Sequence, residues 1–560
     1  MSRPSPTEAP LRWRTPVAAI WAATALCVLL ILLNYIGAPV DKFDECIPLV
    51  DAAMVQDGLA PHTGFWSGYP PLQYYAVAAM FAVIGRTVLA LRFLQSASFL
   101  LLLVLSVRFF RAEMRTSRLG PPLFTFALAI CVGNTLQVAS WLAYATALCV
   151  LLAYCESQRK GNGPIASLLG VGFLAAAAVL LRLNFGCYVI VVILADLVLH
   201  ARERLAARLA AFLGPIALVV GGYLLSYGKD YEVVLQQFNA LRLVMLHYRF
   251  IELPPAFWPY AVIALPPAWF LFRPVKRISV RLVPLAIALA LCACAYTFRG
   301  SAAVLPNLFV LEAAAVLVLH RYYARLQRFE LLILLLFCLL LHYALSRVDT
   351  PHYVVLFPVF GLLLPYVTDG GPALKWFAAG AVFLIRFQTI PPDLSGAGFA
   401  MQLLQQGNLV QRKTDAEHVF AAGDEGRAWA NLYPVRDEIE AVAYVRERTG
   451  KGDFVFVGVD DHAVALASDL RACWLLERKV GVKKHQFEPG MTTEAATQRE
   501  MIADLERNAV RWVILAPEPV IRDQGNVFLH RTKVHLLDDF LRDHYREVAR
   551  FGPYVVRVRE

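Results

Sequence analysis

Hydrophobic runs of about 17 to 20 residues recur along this chain from Val17 to about Ile390, separated by short polar or basic connectors. Twenty residues of helix rise about 30 Å, the thickness of a bilayer's hydrocarbon core, so this spacing predicts membrane-crossing helices. The first run, VAAIWAATALCVLLILLNYIG, is too long for a removable signal segment and lacks a small-residue cleavage site; it is read as the first crossing. The pattern predicts a polytopic α-helical membrane protein with about 13 transmembrane helices over residues 1–395.

One apolar stretch is set apart. YPPLQYYAVAAMFAVIG, residues 69–85, begins with Pro70 and Pro71 and an aromatic-rich first turn, which suits a helix lying at the interface. The charges lead to the same reading. The formal charge is +10, yet Lys and Arg concentrate in connectors such as RFFRAEMRTSR, SQRK, ARERLAAR, RPVKRISVR and RYYARLQR. If residues 69–85 do not cross, all these clusters fall on one side, as cytoplasmic loops do by the positive-inside rule. The N-terminus is then cytoplasmic and the C-terminus periplasmic or extracellular, as expected for a bacterial inner-membrane protein. The basic balance reports topology and a lipid bilayer as partner, with no nucleic acid.

Past about residue 395 the character changes. Charges become frequent and no run is long enough to cross, while helical and strand-like patterns alternate as in a soluble α/β unit. RDEIEAVAYVRERTG predicts an amphipathic helix ended by Gly450. DFVFVGV and VRWVILAP predict buried strands, LLDDFLRDHYREV a helix, and GPYVVRVRE a closing strand. Residues 396–560 are therefore expected to form an external α/β domain. It contains neither a phosphate-binding glycine loop nor a nucleophile elbow, and its expected role is to dock on the membrane part. The ten cysteines show no zinc-type spacing; Cys46 and Cys473 can share an oxidising compartment, with pairing or burial as small apolar groups both open.

The polar residues concentrate in three loops on the outer side: 38–68, 228–256 and 346–353. The first carries Asp41, Asp44 and Glu45, the last Arg347, Asp349 and His352, and Arg92 and Arg182 stand at outer helix ends. Singly, such residues are helix-end anchors; together they form a candidate site.

The order of features after the first crossing resembles the first outer loop of the GT-C superfamily of membrane glycosyltransferases, which includes protein O-mannosyltransferases and the lipid A aminoarabinose transferases. The series is Asp44-Glu45, Gly58 in QDGLAP, Tyr69-Pro70-Pro71, Gly85 and Arg92. LLRLNFGCYVIV and LSRVDTPHYVVLFP also resemble later segments of bacterial members. Two features depart from the pattern. Gly68-Tyr69 stands where the lipid A enzymes have Glu-Lys before the Pro pair, and QVASWLAYATA lacks an acidic residue that many members carry between the third and fourth helices.

The resemblance implies transfer of a sugar from a polyprenyl phosphate to an alcohol of the cell envelope, a glycolipid, polysaccharide or protein, with inversion. Asp44 is then the candidate base for the acceptor hydroxyl, and Glu45 holds the acceptor or the surroundings of Asp44. Arg347, Arg182, Arg92 and His352 are candidates for the leaving phosphate, with Asp349 orienting Arg347 or His352, and Tyr69 for substrate binding. No cofactor is expected. A divalent metal held by Asp44, Glu45, Asp349 and His352 is the alternative. A transporter or lipid flippase with an external accessory domain is a second class, although its ionisable groups would be expected near the midplane rather than at the outer boundary.

Overall fold

The computed structural model describes residues 14–37, 45–67, 69–114, 118–133, 136, 140–159, 164–200, 204–235, 237, 257–272, 278–298, 307–346, 355–369, 435–459, 470–483, 495–516 and 534–560. Helix α1 (Arg14–Gly37) leads into α2 (Cys46–Gln56) and α3 (Leu72–Ile84). With 13 residues, α3 is about 20 Å long, too short to cross a bilayer as helix. Gly85, at φ +85°, ends it in the left-handed region that glycine enters without strain. Two residues later the Thr87 hydroxyl accepts the Leu89 amide at 3.3 Å and caps α4 (Val88–Glu113). The sequence IGRT thus separates a short helix from a long one.

The bundle continues through α5 (Gly120–Gly133), α6 (Trp141–Gln158), α7 (Ile165–Leu181), α8 (Leu183–His200), α9 (Leu205–Ser226), α10 (Phe257–Ala268), α11 (Ile278–Thr297), α12 (Leu308–Tyr322), α13 (Arg328–Ser346) and α14 (Leu356–Leu363). Among the described residues, Pro16–Gly37, Val88–Glu113, Leu183–His200 and Leu205–Ser226 are long and apolar enough to cross a membrane. The last apolar run expected from the sequence, ending at about Ile390, lies outside the described residues. Helix α13 is apolar nearly all round, LLILLLFCLLL, and is buried accordingly within the largest core, packed on α8, α12 and α14.

The basic connectors gather at one end of this bundle. Arg159, after α6, reaches Glu113 at the end of α4, and Arg108 pairs with Glu156. Arg208 of α9 donates to Gln158, and Arg328 of α13 grips Asp196 of α8, which also accepts the Tyr154 hydroxyl at 2.6 Å.

The C-terminal unit is a five-stranded mixed sheet in the order β2-β1-β3-β5-β4, built from β1 (Phe454–Val459), β2 (Lys479–Val480), β3 (Trp512–Ala516), β4 (Tyr545–Phe551) and β5 (Tyr554–Arg559). Strands β1, β2 and β3 are parallel; β5 runs antiparallel between β3 and β4. Helices α15 (Val435–Glu447), α16 (Leu470–Leu476), α17 (Ala495–Arg507) and α18 (Leu536–His544) complete it. One expectation is corrected: LLDDFLRDHYREV is not helical throughout. The helix stops at His544 and HYREV turns into β4, because Gly552, at φ +51°, and Pro553 form a two-residue turn that folds β4 back onto β5.

This unit packs on the first loop of the bundle. Cys46, Leu49 and Val50 of α2 and Tyr74, Val77 and Phe81 of α3 share one apolar cluster with Ala441, Val442, Cys473 and Trp474. The Phe81 and Trp474 rings stack at 5.7 Å, and the Trp66 amide donates to Lys483 O at 3.0 Å. Helix α3 is therefore covered on one side by the C-terminal unit, whereas Tyr75 and Val83 are exposed on the other.

Candidate functional site

Two of the residues singled out in the sequence meet deep inside the protein. Glu45, at the start of α2, accepts Arg92 Nε on Oε1 at 3.0 Å and Nη2 on Oε2 at 2.9 Å, the two-pronged geometry that a guanidinium offers a carboxylate. The side chains are 0% and 1% exposed. Arg92 Nη1 also donates to Ile36 O at 2.8 Å, closing off the end of α1, and its guanidinium lies over the Tyr35 ring. The Tyr35 hydroxyl bridges Glu45 and Gln95. Glu45 and Arg92 were expected at the acceptor and at the phosphate, respectively. Instead they satisfy each other, because neither charge is stable in the interior without a partner. Their pairing ties α1, α2 and α4 together and fixes the point where the acidic segment enters α2. Asp44, the residue before Glu45, lies outside the described residues.

The second constellation is built on a helix hairpin. Arg182 separates α7 from α8 with an extended backbone, φ −162° and ψ 119°. Its amide donates to Ala178 O at 3.0 Å, closing α7, and its carbonyl accepts from Gly186 N at 3.2 Å, opening α8. So tight a hairpin needs a glycine at 186, where a Cβ would come within 2.5 Å of Val179 Cα. The turn leaves the Arg182 side chain at the hairpin tip, half-buried. There its guanidinium faces Tyr69 at 4.6 Å, Tyr343 at 5.5 Å and Phe185 at 5.9 Å. Ring faces attract a cation and orient it.

The surrounding polar groups continue this arrangement. Tyr343 lies 3.3 Å from Ser140, and its neighbour His342 meets the Tyr188 hydroxyl at 2.6 Å. Tyr69 is held from behind by Ser67, whose hydroxyl lies 2.9 Å from Tyr69 O and 3.0 Å from the Tyr74 hydroxyl. His62, in the same loop, is buried beside Tyr223 and Tyr227 and bonds Gln237 at 2.8 Å. Burial holds its imidazole below the ordinary value, against the opposing pull of its hydrogen bonds to Gln237 and Ser67.

Tyr69 and Arg182 are thus brought together, as are Glu45 and Arg92. Arg347, Asp349 and His352 lie outside the described residues. The sequence reading passed over Phe185, Tyr343, His62 and Gln237. Tyr343 and Phe185 stand at helical spacing, four before Arg347 and three after Arg182, a signal that was present; Gln237 offered none. Among the described residues there is no group of three or more His, Cys, Asp and Glu side chains arranged to hold a metal ion.

Helical bundle, anchored first loop and C-terminal sheet together repeat the fold of a solved helical membrane protein. One solved structure with this likeness is ArnT from Cupriavidus metallidurans in its apo state, with 12% sequence identity, a TM-score of 0.50, and coverage of 97% of this chain and 98% of that one. The same ArnT bound to undecaprenyl phosphate aligns over the same shares at 13% identity and a TM-score of 0.49. The arabinofuranosyltransferase AftD from Mycobacteria aligns with 97% of this chain but 40% of its own length, at 15% identity and a TM-score of 0.41. No protein-family model matches the sequence, and no curated protein does.

Proposed function

We propose that the protein is a membrane glycosyltransferase that moves a sugar from a polyprenyl phosphate to a hydroxyl of an envelope glycolipid, polysaccharide or protein. The observation that carries this reading is Arg182, presented at a hairpin tip among Tyr69, Phe185 and Tyr343, within a fold shared with ArnT. A lipid phosphate of the kind ArnT binds would meet a cation oriented by rings, at the boundary where a lipid-linked donor and a water-soluble acceptor can meet.

The chemistry assigns each group one task. The acceptor oxygen attacks the anomeric carbon from the face opposite the phosphate, and the bond from that carbon to the phosphate oxygen breaks, so the configuration inverts. Asp44 takes the acceptor proton, and the polyprenyl phosphate leaves with the bonding pair. Arg182, with Arg347 and His352, offsets the negative charge on the leaving phosphate, and Asp349 orients Arg347 or His352. Glu45 and Arg92 serve as the scaffold that fixes the base-bearing segment. The reading invokes no metal, since one carboxylate of the candidate ligand set, Glu45, is engaged by Arg92. We place the basic end of the bundle in the cytoplasm and the site, with the C-terminal unit, on the periplasmic side of a bacterial inner membrane.

Purified protein incubated with a panel of polyprenyl-phosphate sugars and envelope acceptors should release polyprenyl phosphate and give an acceptor heavier by one sugar in mass spectrometry. Release of no polyprenyl phosphate from any donor, by protein that remains folded, would exclude the reading.

A further inference from the structure

We infer that Gln237 is a positioning residue for the lipid-phosphate site, holding the loop that carries Tyr69 so that its ring stays against Arg182; this rests on the function proposed above. Residue 237 belongs to the second polar loop, far in sequence from the segment it holds. Its side-chain oxygen accepts the Ser67 amide at 3.1 Å and His62 Nδ1–H at 2.8 Å, and its Nε2 donates to His62 O at 2.8 Å. One amide therefore spans the turn from residue 62 to residue 67 with both its donor and its acceptor, a combination that neither a carboxylate nor an apolar side chain can supply. Gln237 is only 7% exposed, so these bonds are sheltered from water.

The held turn needs such support. His62 has a φ of +69°, in the left-handed region that side chains with a Cβ rarely occupy. The neighbouring amides of Trp66 and Ser67 are held by different parts of the protein. Trp66 N–H goes to Lys483 O of the C-terminal unit at 3.0 Å, and Ser67 N–H goes to Gln237. Lys483 Nζ adds a bond to Thr63 O at 3.4 Å. From Ser67 the connection runs through its hydroxyl to Tyr69 O, and from the Tyr69 ring to Arg182. The second loop and the C-terminal unit thus converge on the turn that delivers Tyr69.

The test uses the full chain in detergent, with undecaprenyl phosphate as probe and a double-mutant cycle of Gln237→Met and Tyr69→Ala. Gln237→Met should weaken binding about fivefold to tenfold in protein that remains folded at the assay temperature, and should lower the thermal midpoint because buried groups of the turn lose their partner. In the Tyr69→Ala background the same substitution should change affinity less than about twofold, because its effect passes through the ring already removed. Additive losses, or unaltered binding by Gln237→Met alone, would overturn the inference. If Tyr69→Ala and Arg182→Ala both left binding intact, the lipid-phosphate assignment would fall instead. Amide exchange over residues 61–69 then decides the clamp: faster exchange in Gln237→Met upholds it, and unchanged exchange removes it.

Discussion

Arg92 holds Glu45 through two hydrogen bonds in a place that solvent does not reach. Removing one partner leaves the other charge buried and uncompensated, so Arg92→Leu or Glu45→Leu should each cost about 3 to 5 kcal/mol and sharply lower the yield of folded protein. The double substitution removes both charges and should be less damaging than the sum of the singles. Thermal unfolding of the purified variants measures this, and strictly additive losses would show that the pair does not lock the three helices.

Arg182 offers a different test, because its rings orient it without burying it. Arg182→Lys keeps the charge and loses the planar fork, so it should retain folding and only part of the affinity for undecaprenyl phosphate. Arg182→Ala should lose most of it. Tyr69→Phe keeps a ring face and should bind nearly as the parent does, whereas Tyr69→Ala should lose about 0.5 to 2 kcal/mol of binding. Titration of the lipid phosphate against each variant orders them; equal affinity for all four would detach this pair from the phosphate.

Asp44→Asn separates chemistry from structure at the position before the buried Glu45. It keeps the size of the side chain but cannot accept the proton, and should lower transfer by about 10²- to 10⁴-fold while stability changes by no more than about 0.5 kcal/mol. Asp41→Asn should be far milder. A turnover assay on the two variants, normalised to folded protein, would reassign the base if their order were reversed.

His62 should give the loop a pH dependence. Its imidazole is held below the ordinary value by burial, and the Tyr223 and Tyr227 rings, the Gln237 amide and the Ser67 backbone are among the groups facing it. The folded state favours the neutral ring, so the unfolded chain binds the extra proton first as pH falls. The contribution of His62 to stability is therefore complete above about 6.5 and is lost as pH drops through the folded-state value. His62→Asn tolerates the positive φ and does not titrate. Thermal midpoints measured between pH 7 and 5 should fall less steeply in this variant than in the parent.

How far the sequence exposed this site follows from the kind of signal each residue carries. Arg182 stood out because a lone cation interrupts two apolar runs, and it proved to be the hairpin tip. Gly85 stood out only as a member of the ordered series in the first loop; that it ends α3, and that Thr87 caps α4, came from the structure. The partnership of Glu45 with Arg92 spans 47 positions, and opposite charges near a membrane surface look alike whether they bind each other or a substrate. Gln237 is a neutral amide in a polar loop, so neither charge nor period distinguished it from its neighbour Gln236. Strand β4 escaped because its first residues, YREV, follow the helical stretch LLDDFLRDH with no Gly or Pro between them to mark a boundary.

The bond from Lys483 to Thr63 joins residues 420 positions apart. At about 5 to 20 residues per second, a ribosome needs roughly 20 to 85 s to make the chain between them. Throughout that interval the early helices can enter the membrane, but the surface of α2 and α3 later covered by Trp474 has no partner and the turn at residues 62–67 has no support from Lys483. A newly inserted chain therefore acquires its membrane helices first and the support of the turn at residues 62–67 last, and in the interval between, the uncovered apolar face of α2 and α3 is open to proteases and to wrong partners.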